Sequence, residues 1–599
     1  MKLSRAVPTS LVALLCGCNA PAPTVAASQP TLESIAPAFS DEAACGDWPQ
    51  WGRDASHEGR TCAVGQKAAE LLDDIVFDPF VPAEAADGDG LIVHYQTPLI
   101  ADDDLYMEVK SGTYTACDPP GSGTPDGCGP PATWATEVWN EVRYEISDAG
   151  KLTKKWSFAS DWKPEPFYGF EPVFHGALSG AFVYVPGAGG TVYKLDRRSG
   201  KVVTRINPFG SAVNPNIYVA GPITVDARGN VYYNALALDP WYPQYADAQG
   251  WLVKVSARGK VATVDYATLV PGFDPEQLCN VGYYPPAFAL PYPPLNPDGS
   301  VVPAPRYRCG PQRPSLNIAP AVARDGTIYV VSHAHANQSY SYLIAVNADL
   351  TPRWASSMRG LVHDGCGKSV PEDGDVNPLD CTPGAPVGID PYTGEAPALS
   401  ATDSSSSSPV VLPDGNILYG TFTAYNQYRG HLAKFAPDGT FIGAFDFGWD
   451  VTPAVVRHDG TYSIVTKDNH YTYDAEGNDA GPYYLTRLSA SLEPEWQFLS
   501  TNTESCQRDA AGKVTCVSDH PHGFEWCINA PAIDRDGNLY ANSEDGNLYV
   551  VDKNGHEKTH FFLNEALGAA YTPLALDRRG HIFVLNGGHL SVLGQKRCD

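Results

Sequence analysis

Histidine occurs twice as a His-x-His pair: His333 and His335 in "SHAHANQ", and His520 and His522 in "DHPHGFEW". Together with His175, His363, and Tyr425 or Arg429 from "TAYNQYRG", these side chains form a His/Tyr/Arg set suited to β-elimination or hydrolysis of an acidic glycan. His-x-His also matches part of a metal-ligand pair, but no third ligand follows at metal spacing. The competing reading is that long polar insertions simply collect solvated histidines.

Carboxylates and amides are the second resource. "DRDGN" from Asp534 contains the Asp-x-Asp-Gly that opens a helix-flanked calcium loop, but no bidentate Glu follows at the twelfth position. It reads instead as a hairpin turn, because Asp-Gly and Asn-Gly tolerate the positive φ that such turns demand. The stretch "APAIDRDGNLYANSEDGNLYVVDKNG" carries three such pairs between runs of strand length, so it is a meander of about four strands.

The elements that would position these groups come from repetition. The same pattern, a small residue or Thr, then Pro, two or three apolar residues, a Gly turn and a Tyr- or Phe-bearing strand, recurs at Pro98, Pro222, Pro320, Pro409, Pro453, Pro531 and Pro573. A looser copy stands at Pro172, and a second hairpin follows most copies. Four strands per repeat and eight repeats predict an all-β, eight-bladed β-propeller of four-stranded blades. The last repeat lacks an outermost strand, and a segment within Trp48 to Pro82 is expected to supply it and close the ring.

In a propeller, the residues just ahead of each repeat Pro lie near the mouth of the central channel. The candidates there are Gln96, Glu171, Asn317, Asp403, Asp450, Asn529 and Tyr571. Convergent oxygens of this kind suit a hard cation or a polar ligand, and a Ca²⁺ site at Asp403, Asp450 and Asn529 is the metal reading. Capping of strand ends is the alternative reading of the same residues.

The N-terminus, "MKLSRAVPTSLVALLCGCNA", has a basic start, a short apolar run and then Leu15-Cys16-Gly17-Cys18. It resembles a bacterial lipobox, with residues 1–17 as signal peptide and Cys18 as the acylated residue. Asn19 provides no Asp retention signal, so an outer-membrane lipoprotein facing the periplasm or the cell surface is expected. Residues 18–45 read as a flexible tether and residues 46–599 as the propeller. Of 14 cysteines, removing Cys16 and Cys18 leaves an even number in an oxidising compartment. Their order suggests the pairs Cys45 with Cys62, Cys117 with Cys128, Cys279 with Cys309, Cys366 with Cys381, Cys506 with Cys516, and Cys527 with Cys598, most of them stapling long insertions on the rim.

A formal net charge of -27 argues against nucleic acid and against anionic lipid surfaces, leaving the lipid anchor as the membrane contact. A monomer is expected, with a protein partner, a glycan or a small polar ligand on a propeller face.

"DWPQWGRDASHEGR" at Asp47 to Arg60, followed by repeats of the "DGNLYVVDKNG" and "GTVYKLDRRSGKVV" type, resembles the PQQ-like (quinoprotein) β-propeller superfamily. That superfamily includes quinoprotein alcohol dehydrogenases and the propeller lipoprotein of the outer-membrane β-barrel assembly machine. The resemblance implies that Trp156, Trp354 and Trp496, ending their repeats, dock between blades. A PQQ dehydrogenase would also carry a vicinal Cys-Cys disulfide, a Ca²⁺ site of Glu, Asn and Asp, and an Asp base. No two cysteines are adjacent here, and no Cys-x-x-Cys-His haem motif occurs. The leading expectation is therefore a non-catalytic binding or scaffolding module. A periplasmic oxidoreductase using PQQ and Ca²⁺ comes second, and a polysaccharide lyase or hydrolase is the weaker alternative.

Overall fold

A computed structural model describes residues 46–87, 96–115, 135–164, 173–238, 248–280, 294–303, 306–366, 381–389, 394–423, 429–474, 479–568 and 571–596. The signal peptide, the tether, Cys16, Cys18, Cys45, Cys117, Cys128, Glu171, Tyr425 and Cys598 lie outside these residues.

The described residues form eight antiparallel blade sheets in sequence order and, outside the blades, two two-stranded sheets. The first runs Leu99–Ala101, Asp104–Gly112, Glu137–Ile146, Leu152–Ala159. The first strands of successive blades approach one another and are buried, whereas the fourth strands alternate towards solvent, so each sheet runs outward from a central channel. Two blades depart from four strands. In the third, Val231–Ala237 pairs with Ile217–Val219 and with Thr224–Val225, and the fourth repeats this with Gln312–Pro314 and Ala321–Val322. The innermost strand is in two pieces there, with Pro222 or Pro320 between them.

Turn chemistry is as expected. Gly537, Gly546 and Gly555 all have φ near +84°, and Asp534 Oδ1 accepts from the N–H groups of Asp536 and Asn538 at 2.9 Å. "DRDGN" is therefore a turn.

Closure is also as expected. Glu70–Val76 adds to the edge of the eighth blade, pairing antiparallel with His589–Gly594 from Glu70 opposite Gly594 to Val76 opposite His589. This removes the open edge. The residues before it do something the repeats do not announce. Trp48 bridges to Ile100 of the first blade, and the Pro49 carbonyl accepts from Leu178 of the second. Gln50 bonds both backbone groups of Val225 in the third. The carbonyls of Ala55, Ser56, Glu58 and Gly59 then accept from Val322, Val411, Val455 and Ile533, and Gln66 N–H donates to Gly580. One segment thus visits the innermost strands of the first seven blades in order and then the first turn of the eighth. Inside this belt Trp51, fully buried, packs on Val173, Ala319 and Ala530 and fills the channel axis.

The core lies between blades, as layers of apolar side chains shared by neighbours. Trp156, Trp354 and Trp496 dock across these gaps, their indole N–H groups donating to Arg197, Pro437 and Lys553 of the next blade. The disulfides Cys279–Cys309, Cys366–Cys381 and Cys506–Cys516 form, and Cys62 is also disulfide-bonded. Cys527 is a buried free thiol, and its expected partner Cys598 lies outside the described residues. Cys527 is held just ahead of the seventh blade's inner strand, surrounded by that blade's carboxylates.

Candidate functional site

Of the channel-mouth candidates, Gln96, Asn317, Asp450 and Asn529 are engaged as hydrogen-bond acceptors of backbone N–H groups. Gln96 Oε1 accepts from Glu108 N at 2.9 Å, and Asn317 Oδ1 accepts from Val173 N at 2.8 Å. Asp450 Oδ1 accepts from both the N–H and the hydroxyl of Ser406, at 2.8 and 3.0 Å. Asn529 Oδ1 accepts from Thr452 N at 2.8 Å, while its Nδ2 donates to Ser406 Oγ. Asn317 and Asp450 hold φ of 60° and 49°, a left-handed conformation that Asn and Asp adopt more readily than other side chains. Gln96 satisfies a strand residue of its own blade, whereas Asn317, Asp450 and Asn529 cap loop N–H groups of other repeats and so tie one blade to another.

Asp403 belongs to a different network. Arg313 grips it with two bonds of 2.9 and 2.6 Å, His333 Nε2 lies 3.1 Å away, and the Leu316 N–H donates to it at 3.1 Å. Burial would raise its pKa, but the Arg313 guanidinium and His333 hold it well below the usual carboxylate range. Arg313 Nε donates to His335 Nδ1 at 3.0 Å. His333 and His335 are thus not rim residues. They line a buried ion pair, because the strand Ile328–Ala334 carries His333 inward beside the split inner strand.

The donors proposed for Ca²⁺ do not fit it. Both oxygens of Asp403 take Arg313, Asn529 Oδ1 takes a backbone N–H, and Asp450 Oδ1 takes two donors from Ser406. A Ca²⁺ ion requires several oxygens turned to one point.

The remaining rim candidates separate. Arg429 is fully buried and paired with Asp446, beside His431, whose Nε2 is 2.7 Å from Asp364. His520 and His522 stay at the rim, His520 stacked on Phe524 at 3.7 Å and paired with Asp519, and His522 3.2 Å from Asp474. The two His-x-His pairs are held by different partners, one buried beside Arg313 and one at the rim.

Sequence reasoning missed one cluster around Tyr571. The Lys467 ammonium lies 4.6 Å from the Tyr571 ring and 5.2 Å from that of Phe447. It makes no ion pair among the described residues and is 1 % exposed. Beside it, donor atoms of Glu525, Cys527 and Glu544 lie within 4.8 Å of one another, and Tyr471 donates to Glu525 at 2.6 Å. Burial, reinforced by Glu525, pushes Glu544 well above its ordinary range, and burial raises the Cys527 thiol. The thiol therefore keeps its proton and is no nucleophile. The Lys467 charge acts on Glu544 and on the Cys527 thiol, opposing the rise that burial imposes on both. The residues come from separate repeats, so no local motif signals them.

No helix among the described residues is long and apolar enough to cross a membrane. No protein-family model matches the chain, and no curated protein matches it. Solved structures do. The quinohemoprotein alcohol dehydrogenase of Comamonas testosteroni aligns with TM-score 0.50 at 11 % identity, covering 94 % of this chain and 82 % of that one. BamB from Moraxella catarrhalis aligns with TM-score 0.37 at 11 % identity, covering 88 % and 99 %. Quinohemoprotein alcohol dehydrogenase ADHIIG of Pseudomonas putida HK5 aligns with TM-score 0.46 at 10 % identity, covering 94 % and 82 %. At such identities the likeness concerns architecture, and the chain has the eight-bladed propeller fold of the quinohemoprotein alcohol dehydrogenases.

Proposed function

We propose that this protein is an exported, non-catalytic binding module, anchored to the outer membrane through Cys18, that holds a protein partner on the face built by its stapled loops. The three described disulfides all lie in connections that enter an innermost strand, so these loops stand at the same end of the channel. The observation that carries the reading is that large apolar side chains stand out on them: Leu278 is 60 % exposed, Tyr307 50 %, Val387 66 % and Val517 63 %. Covalent bracing of exposed apolar groups is costly to keep in water and favours burial against another protein. The polar residues beneath hold blades together, which supports binding over chemistry. The test is site-specific crosslinking from Tyr307 and Val517 in cells. Capture of one defined partner, lost in Tyr307→Asp and Val517→Asp at unchanged melting temperature, is expected; equal capture by both variants would overturn the reading.

A second reading, a periplasmic oxidoreductase using PQQ and Ca²⁺, is supported by the likeness in fold to a quinohemoprotein alcohol dehydrogenase, with the buried Lys467 as the cation that would face a PQQ carboxylate. PQQ would supply the redox chemistry when bound, and the Ca²⁺ donors would have to be other than Asp403, Asp450 and Asn529. Calorimetry with PQQ, with and without Ca²⁺, separates the two: stoichiometric PQQ binding lost in Lys467→Met would promote the oxidoreductase.

A further inference from the structure

At the opposite end of the channel, where the innermost strands turn back, the belt and the turns of the second to fourth blades enclose a funnel of about 770 Å³. Five arginines line it, Arg53, Arg60, Arg228, Arg324 and Arg457, against four acidic residues, in a chain whose formal net charge is -27. One acid is in a direct ion pair, and the other three also serve the fold as hydrogen-bond acceptors. Glu58 is gripped by Arg457. Asp54 caps the N–H groups of Ser56 and Glu58. Asp226 accepts from Asn230 and Tyr232 at 2.7 and 2.9 Å and caps its own turn. Asp47 caps Asp102, and burial raises its pKa.

Arg53, Arg228 and Arg324 make no ion pair among the described residues. Arg53 is held at φ 70° in the belt, and its Nε is buried without a hydrogen-bond partner. Arg228 reaches from the third blade to the fourth: its Nη1 lies 3.3 Å from where a Cβ on Gly326 would stand, in the turn that also carries Arg324. Glycine there, at φ 94°, leaves the guanidinium its place. Arg53 lies within electrostatic reach of Asp47 and Arg324 of Glu58, yet five arginines against four acids leave the lining with one positive charge in excess, and the planar forks of Arg53, Arg228 and Arg324, engaged in no direct ion pair, match carboxylate or phosphate oxygens. A cavity of this size suits a small organic ligand.

We propose that this funnel binds a small solute carrying two or more phosphate or carboxylate groups, held by Arg53, Arg228 and Arg324. The two chemistries present the same oxygens to a guanidinium, so the test uses one probe of each. Calorimetry of the full chain with pyrophosphate and with citrate, at low and high salt, should show saturable binding of at least one probe, weakened by salt. Arg228→Ala with Arg324→Ala removes two exposed, unpaired side chains and should weaken binding roughly tenfold or more at unchanged melting temperature. Arg53→Gln should weaken it in the same sense. Absence of binding for both probes at millimolar concentration, or affinities unchanged in both variants, would overturn the proposal. Because the site lies at the other end of the channel from the stapled loops, Tyr307→Asp should leave this binding intact.

Discussion

Trp354 donates its indole N–H to the Pro437 carbonyl at 2.9 Å, crossing from the fourth blade to the fifth, and its ring lies against Gly439 of the same turn. A Cβ on Gly439 would come within 2.8 Å of the ring, and its φ is 87°. Trp156 on Gly200 and Trp496 on Gly555 repeat the arrangement. Gly439→Ala should therefore destabilise the protein by about 1–3 kcal/mol through strain and lost docking. Trp354→Ala should cost a similar amount. Denaturant unfolding of both single variants and the double checks this, and the double should cost less than the sum because both act on one contact.

Asp403→Asn keeps the shape of the side chain but leaves Arg313 buried without its carboxylate. Loss of one partner of such a pair costs about 3–5 kcal/mol. Thermal unfolding should show it, whereas replacing an exposed partner such as Glu276, bonded to a half-exposed Arg308, should change little.

His57 is fully buried, with Nδ1 2.8 Å from the Pro409 carbonyl, so Nδ1 carries the proton of a neutral ring. Burial lowers its pKa to about 4, against the opposing effect of that bond. Protons then bind the unfolded chain more readily than the fold. The contribution to stability is complete above the ordinary histidine value of 6.5 and is lost as pH falls through about 4. His57→Asn, which tolerates the local φ of 62°, should flatten the stability profile between pH 6.5 and 4. Denaturation midpoints measured across that range decide it.

Glu141 shows the opposite sign. Burial raises it to about 8 and its Oε1 has no hydrogen-bond partner, so the fold holds a proton that the unfolded chain releases. Its contribution is complete below the ordinary value of 4.5 and is lost as pH rises through about 8. Glu141→Gln should be more stable than the parent at pH 8 and close to it at pH 4, in the same unfolding assay.

A chain truncated up to Asp89 loses Glu70–Val76 and the belt together, exposing the edge of the eighth blade and the channel. It should aggregate or fail to fold, as light scattering and circular dichroism would report. Removing the Cys506–Cys516 bond should instead leave the melting temperature nearly unchanged, because its two-stranded hairpin lies outside the blades.

The repeats were legible because each is specified within a few residues. Asp534 caps N–H groups two and four positions on, a glycine completes the turn, and Pro marks each inner strand, so blade number and turn type follow from local pattern, whereas the docking tryptophans came from the family resemblance and the closing segment from the missing outer strand of the last repeat. Three of the stapled pairs followed for the same reason, their partners being 10 to 30 residues apart. The site did not follow. Arg313 meets Asp403 across 90 residues, and Lys467 gathers with Cys527 and Tyr571 only once the ring brings their blades together. The belt from Trp48 to Gln66 belongs to no repeat, and its meaning depends on seven inner strands far along the chain. Short-range hydrogen bonding and strand propensity are properties of neighbours in sequence and could be read from it. Which buried charges are neutralised, and which are left facing a cavity, was decided by the closing of the ring.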